Sequence, residues 1–292
     1  MGSSLLWPLA YPQALQKAYP YIVTVPAVGT ALPLYLVKQH LRLNTVTNFL
    51  VPINGTVAVT NNSTNVTGTN TVFTQQLSAG QNIQINNVQY MVGAVISNTQ
   101  FTLATAYAGV TASGLSVIVD PEDLYLIDLM YAVQEYAEKI TRRTFLNTTF
   151  QTYRDQFDFE STTLRRSRLQ QLISVEGLVE GIWNVVDPSF YYTDHQNDYS
   201  SLYLQPGQSW PFSTPTYVFQ SVRITFIAGY GTSYTAIPME LRTAMLHHIA
   251  DMYMNRGDCS NCGCALPPQS NAAYRAYRII DITGEDYSAR YG

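Results

Sequence analysis

The stretch VKQHLRLN, residues 37–44, has the spacing of a helix coming to its end: Val37 and Leu41 fall along one side with the stem of Lys38, and Arg42 sits in the last turn. After it the charges stop. From Thr45 to Val119 there is no Asp, Glu, Lys, Arg or His, and then DPEDLYLIDLMYAVQEYAEKITRR, residues 120–143, opens a long charged helix. What fills the gap decides how the rest of the chain is read.

The gap is patterned. Val57 and Val59 alternate with polar residues, as do Ile83 and Ile85, Val88, Tyr90 and Val92, Phe101 and Leu103, and Leu115, Val117 and Val119. Alternation of this kind is the period of a half-buried strand. Asn86-Asn87 lies between two such runs, and asparagine tolerates the positive φ that a two-residue hairpin turn demands. Residues 46–119 are therefore expected to form a compact antiparallel β domain of about six short strands with its own apolar face.

On either side the period changes. LPLYLVKQHLRLN (32–44) predicts a helix of about three turns, with Pro33 in the first. The helix after the gap has Asp120 as cap, Pro121 at its first position, and Glu122 and Asp123 where the helix dipole favours negative charge. Leu126, Leu129, Met130, Val133, Ala137 and Ile140 recur on one face, and Lys139, Arg142 and Arg143 close its last turns. From Phe145 to Phe226 the period returns to two, with Val222, Ile224 and Phe226 inward, Arg223 and Thr225 outward, and Pro206-Gly207 as a turn. PMELRTAMLHHIADMYMNRG (238–257) predicts a second long helix with Gly257 as its C-terminal cap. A third is expected from Ser270, as cap, through NAAYRAYRII, and 281–292 read as a tail. Residues 1–30, rich in proline and aromatics, read as an irregular surface arm.

Composition narrows the function. Hydrophobic residues make up 46% of the 292 and charged residues 12%, about half the usual charged share of roughly 25%. With a net charge of −4, the chain as a whole has no pull on a nucleic-acid backbone, because such binding scales with the phosphates neutralised. No apolar run reaches the about 18 residues needed to cross a bilayer, and the start MGSSLLWPLAYPQAL lacks a basic, then long apolar, leader, so a cytoplasmic product without a membrane partner is expected. Twenty-two tyrosines supply amphipathic contact area suited to burial against other subunits.

Three motifs could carry chemistry. CSNCGC sets Cys259, Cys262 and Cys264 close enough to hold a metal if a fourth ligand came from elsewhere, but no second cysteine pair exists, and unpaired loop cysteines are the expectation. His247 and His248 are adjacent on a helix and point about 100° apart, so they do not face one ion. No GxSxG elbow and no phosphate-cradling glycine loop occurs; no enzyme, cofactor or metal is expected. The basic concentrations are Thr141-Arg142-Arg143 and Arg165-Arg166-Ser167-Arg168. They read as a solvated or subunit-facing cluster, with passing DNA as the functional alternative.

Taken in order, the elements resemble the head-tail connector (adaptor, neck) proteins of tailed bacteriophages. That family opens with a K-x-H-L-R helix (Lys38 to Arg42), continues through an acidic helix ending T-x-R (Thr141 to Arg143), carries V-x-F-x-A-G-Y-G late (here ending Ala228 to Gly231), and closes with a Pro-started helix ending Y-x-x-R (Tyr253 to Arg256). The match spans about residues 30–45 and 120–280. The family normally joins the first two helices by a few residues, and here the uncharged stretch intervenes. Loop closure costs little more for a long insert than a short one, so a folded guest can sit in a surface loop.

The resemblance implies an α+β fold class: a helical bundle with a small β-sheet region, built from 1–45 and 120–292, plus the inserted all-β antiparallel domain 46–119. It implies a structural virion protein assembled in the host cytoplasm: a homo-oligomeric ring, a dodecamer, at the head-tail neck. This ring docks on the portal protein, receives a tail or nozzle protein, and lets double-stranded DNA pass through its channel without sequence-specific binding. By analogy Tyr274, Tyr277 and Arg278 would contact the portal, and Arg142, Arg143, Arg165, Arg166 and Arg168 would face a neighbouring subunit or the channel. The other function weighed is a tail-associated carbohydrate-binding or adhesive module, against which stands the lack of any Asp or Glu in the β segment to grip sugar hydroxyls.

Overall fold

The computed structural model describes residues 21–43, 49–155, 161–194, 199–211, 219–256 and 266–279, without the side chains of 165, 167 and 199. Sixteen strands in three sheets and five helices make up these residues.

The first sheet has five strands: β1 (Tyr21–Val25), β10 (Thr148–Arg154), β16 (Val222–Ala228), β12 (Leu169–Val179) and β13 (Ile182–Val185), in that spatial order. β16 is at its centre, with Val222, Ile224, Phe226 and Ala228 buried and the residues between them half-buried. Phe150 faces Phe226 and Thr152 faces Ile224 across the ladder, so the apolar side of both strands lands on one face. A smaller sheet of β11 (Ser161–Ser167), β15 (Tyr199–Leu204) and β14 (Tyr191–Asp194) contributes Leu164 and Leu202 to the same core.

The second unit of structure is the uncharged segment. Its eight strands are β2 (Val51–Pro52), β3 (Thr56–Val59), β4 (Asn65–Thr69), β5 (Asn82–Ile85), β6 (Val88–Ser97), β7 (Gln100–Leu103), β8 (Ala112–Leu115) and β9 (Val117–Val119). They form one sheet in the order β2-β9-β5-β6-β7-β4-β3-β8, every ladder antiparallel. Asn86 and Asn87, at φ 51° and 63°, make the expected tight turn between β5 and β6. One helical turn, α2 (Phe73–Gln76), plugs the sheet with Phe73, which meets Phe101 edge-on at 4.9 Å. β2 and β4 fall outside the alternating runs read from the sequence; β2 pairs with β9 and so joins the two ends of the segment.

The remaining helices share a third core. α1 (Leu34–His40), α3 (Pro121–Thr141), α4 (Met239–Met254) and α5 (Pro268–Ala276) bury Leu34 and Val37, Leu126, Met130 and Val133, Leu241, Met245 and Ile249, and Tyr274 together. Each such side chain contributes about 1.5–3 kcal/mol, so this apolar seam outweighs any of the surface ion pairs along it. α1 stops after two turns, not three: Arg42 adopts φ 55° and the Leu43 N–H reaches back to the Lys38 carbonyl, a left-handed stop. α3 is capped by the Asp120 carboxylate, which accepts from the Glu122 N–H at 3.0 Å, and it ends at Arg142, again left-handed at φ 58°.

Three expectations are corrected. The chain is mostly β, not a helical bundle with a small β-sheet region: the period-two pattern of 145–226 builds two sheets with a core of their own, and the helices account for one core of three. Tyr21–Val25 is a strand, not irregular arm, held by its ladder to β10. The last helix starts at Pro268, and Ser270 lies inside it, donating its hydroxyl to the Ala244 carbonyl of α4 at 2.8 Å.

Candidate functional site

The residues that carry the family resemblance converge on the helical core. Lys38 of α1 forms an ion pair with Asp123 of α3, whose side chain is 0% exposed against 21% for Lys38. Burial pushes the Asp123 carboxyl above the usual aspartate range, and Lys38, with Gln81 of the uncharged segment, pulls it back. Asp123 thus stands where α1, α3 and the β segment meet. Two further contacts bind that segment to α3: Tyr131 donates its hydroxyl to the Thr74 carbonyl, and Leu124 packs on the segment's core. His40 meets His247 of α4 edge-on at 5.2 Å, and burial first, then His247, holds its pKa low.

The closing Y-x-x-R has an equally local explanation. Arg256 lies over the rings of Tyr253 (4.6 Å) and Tyr125 (4.4 Å) and donates to the Glu122 carboxylate, tying the end of α4 to the start of α3. At the other end of α3, the Arg143 Nε donates to the Tyr277 carbonyl at 2.6 Å and the Ile279 N–H to the Thr141 carbonyl. Glu138 accepts from the Phe145 N–H at 2.8 Å; burial pushes its carboxyl up, while that bond, Gln134 and Arg166 draw it down. In the A-G-Y-G run, Gly229 has φ 150° and a Cβ there would stand 2.7 Å from the Leu146 carbonyl carbon. Tyr230 then packs on Phe145.

The basic residues differ in exposure, with Arg168 exposed and Arg166 half-buried. Arg166 lies over Tyr21 (5.3 Å) and Phe150 (5.1 Å), Arg168 over Tyr230 (5.1 Å), and Arg143 is buried. Arg142 is half-buried at the helix end, and the Arg165 side chain lies outside the described residues. Of the three residues assigned to the portal, Tyr274 is 0% exposed, wedged between Tyr136 and His248, so it presents no surface to a partner in this chain. Tyr277 is half-buried and Arg278 exposed. Burial holds the His248 pKa low and the Tyr274 pKa high, which keeps both neutral.

Cys259, Cys262, Cys264 and Gly257 lie outside the described residues, as does the 281–292 tail. Among the described residues no group of three metal-ligating side chains gathers, and no helix is long and apolar enough to cross a membrane. An open recess of about 500 Å³ lies between the end of α4 and the start of α5, walled by His247, Asp251, Met254 and Pro267. The His40–His247 contact and the Arg256 clamp are the features that sequence reading missed. Only the second left a trace, as a tyrosine and an arginine three apart, Tyr253 in the last turn of α4 and Arg256 just beyond its end.

No protein-family model matches this sequence, and no curated protein matches it. Among solved structures the chain is similar to one in the "neck of empty GTA particle computed with C6 symmetry", 20% identical over 56% of this chain and 82% of that one, TM-score 0.48. A chain in the "virion of native gene transfer agent (GTA) particle" is 20% identical over 57% and 82%, TM-score 0.48. A third, in the "neck of native GTA particle computed with C12 symmetry", is 19% identical over 55% and 85%, TM-score 0.46. Each is a partial likeness of backbone path.

Proposed function

We propose that this chain is a structural subunit of a phage-type virion neck. It forms a ring of about twelve copies that docks on the portal and extends the DNA channel toward the tail. Residues 1–45 and 120–292 act as the adaptor unit, and 46–119 as a guest β domain presented outward or tailward. The role is geometric and involves no reaction.

One observation supports the reading above all. Four motifs recognised only by their order along the sequence meet around one core. Lys38 pairs with Asp123, Glu122 with Arg256, and Arg143 with the Tyr277 carbonyl, although 75 uncharged residues separate the first motif from the second. The β2–β9 ladder brings the ends of the guest together beside that core, as insertion into a surface loop requires. The portal contact falls to Tyr277, Arg278 and the chain after them, with Tyr274 as their buried support.

Electron micrographs of mature particles test this: a ring of about twelve copies is expected at the neck, and its absence would sink the proposal. Deleting residues 281–292 should abolish docking on filled heads while the melting profile of the free chain stays unchanged. Docking at the parental level would remove the C-terminal segment from the portal contact.

A further inference from the structure

Sheet edges expose rows of unpaired N–H and C=O groups, and proteins usually blunt them with charge, proline or brevity. The eight-stranded sheet keeps its edges blunt: β2 is two residues long and ends in Pro52, and β8 exposes only Ser113 and Gly114. The five-stranded sheet does not. Its rims are β1, Tyr-Ile-Val-Thr-Val, and β13, Ile-Trp-Asn-Val, neither with a charge. Ile22, Val23 and Val25 are 46%, 50% and 58% exposed on one rim, and Ile182 and Val185 are 67% and 62% exposed on the other. Among the described residues no strand pairs beyond either rim.

The direction of the two rims carries the argument further. β1 to β10, β10 to β16, β16 to β12 and β12 to β13 are all antiparallel steps. Four reversals leave β1 and β13 pointing the same way. A neighbouring copy turned by the small angle of a ring therefore brings its β1 alongside β13 in parallel. Contact of β1 with β1, or β13 with β13, would close a dimer and leave the other rims open.

We propose that the occupant of the β13 rim is β1 of the adjacent copy, so that the five-stranded sheet runs on from subunit to subunit around the ring. This rests on the ring reading above. The contact is small: five residues meet four, against the about 20–30 residues a side of a stable interface, and parallel pairing is the weaker kind. It does not hold two free chains together, and it forms where the portal sets copies side by side. The free chain is accordingly a monomer.

The test uses full-length chain with Cys259, Cys262 and Cys264 changed to Ser. Val25→Cys with Val185→Cys, and separately Val25→Cys with Ile182→Cys, are treated on assembled particles with a short thiol cross-linker. The first pair should give a ladder of cross-linked subunits beyond the dimer, and the second little. A neck ring seen in micrographs with neither pair linked, products that stop at dimers, or the second pair linking better would each overturn the inference and leave the ring reading standing. Capture of residues 1–20 of the same chain by a photo-cross-linker at Val23 would do the same, by showing the rim already covered. No ring on the particles would overturn both. Hydrogen exchange needs no substitution: the outward-pointing amides within 22–25 and 182–185, those not already bonded to β10 or β12, should slow at least tenfold on assembly, and unchanged exchange of these in an assembled ring refutes the pairing.

Discussion

Replacing Lys38 with Met removes the one cation paired with a fully buried carboxylate. Breaking a buried ion pair from one side costs about 3–5 kcal/mol, because the remaining charge is stranded away from water. The stranded group here is Asp123, already pushed up by burial, so it escapes part of the penalty by taking up a proton. That puts the expected loss at neutral pH near the lower end, about 3 kcal/mol. At about 2–4 °C per kcal/mol for chains somewhat shorter than this one, the melting point falls by roughly 6–12 °C. Lys38→Met with Asp123→Asn leaves no buried charge and should lose only about 1 kcal/mol, since neutral replacement of both partners is often nearly free. The sign with pH follows. A carboxyl whose folded pKa is raised binds a proton in the folded chain before the unfolded one, so its stabilising contribution shrinks as pH rises above the ordinary aspartate range. Without Lys38 the folded pKa climbs further, so the variant's deficit should be larger at pH 8 than at pH 5. Circular dichroism at 222 nm reports the helices where the loss originates. A single variant melting within about 1 °C of the parent, a double variant worse than the single, or a deficit that ignores pH would refute the account.

Three further outcomes follow from the same core. Tyr274→Ala should cost about 3–5 kcal/mol by opening a cavity at a site with 0% exposure, whereas Tyr274→Phe should cost about 1 kcal/mol and leave particle docking intact, since its hydroxyl lies a long 3.5 Å from the His248 Nδ1; urea unfolding and particle binding read both. Gly229→Ala forces a Cβ against the Leu146 backbone at a φ that L-residues rarely adopt, and should lower stability by about 1–3 kcal/mol in the same assay. Glu138→Gln keeps an acceptor for the Phe145 N–H and abolishes a titration whose folded pKa is raised by burial, so the fall in stability as pH rises above the ordinary glutamate range should flatten, measured as melting point against pH.

Local signals in the sequence were readable wherever a few neighbouring residues settle the matter. Asn86-Asn87 specifies its turn, Asp120-Pro121 specifies the start of α3, and Val222, Ile224 and Phe226 specify the buried face of β16. What stayed illegible depends on partners far along the chain. Thr24 donates to the carbonyl of Thr149, 125 residues away, so β1 owes its existence to a ladder that its proline-flanked sequence does not announce. The placement of Tyr274 inward is fixed by α4, not by its spacing from Tyr277, which caps the nine-residue helix. His40 and His247 meet across two helices, and nothing in their separation predicts it. Arg166 looked like part of a free basic cluster because sequence cannot show that Tyr21 and Phe150 lie beneath it.

The spending of charges inside the chain bears on how the proposed ring is held. Lys38, Glu122, Asp123, Arg143 and Arg256, all within or beside the motifs, are engaged with partners in the same chain, and Arg166, Arg168 and Arg223 lie over aromatic rings. With the motif charges engaged inside the chain and neither β1 nor β13 carrying any charge, the proposed rim contact draws on none of the 16 basic and 20 acidic residues. Ring contacts should then rest on strand pairing and apolar rims, and such contacts tolerate salt. At 1 M ionic strength the screening length falls to about 3 Å, which suppresses exposed ion pairs while leaving hydrophobic burial in place. Necks isolated from particles should therefore keep their rings between 0.1 and 1 M sodium chloride, counted in negative-stain micrographs. Dissolution at high salt would instead put the holding force on exposed cations such as Arg275 and Arg278, and the rims of the five-stranded sheet would lose their part in assembly.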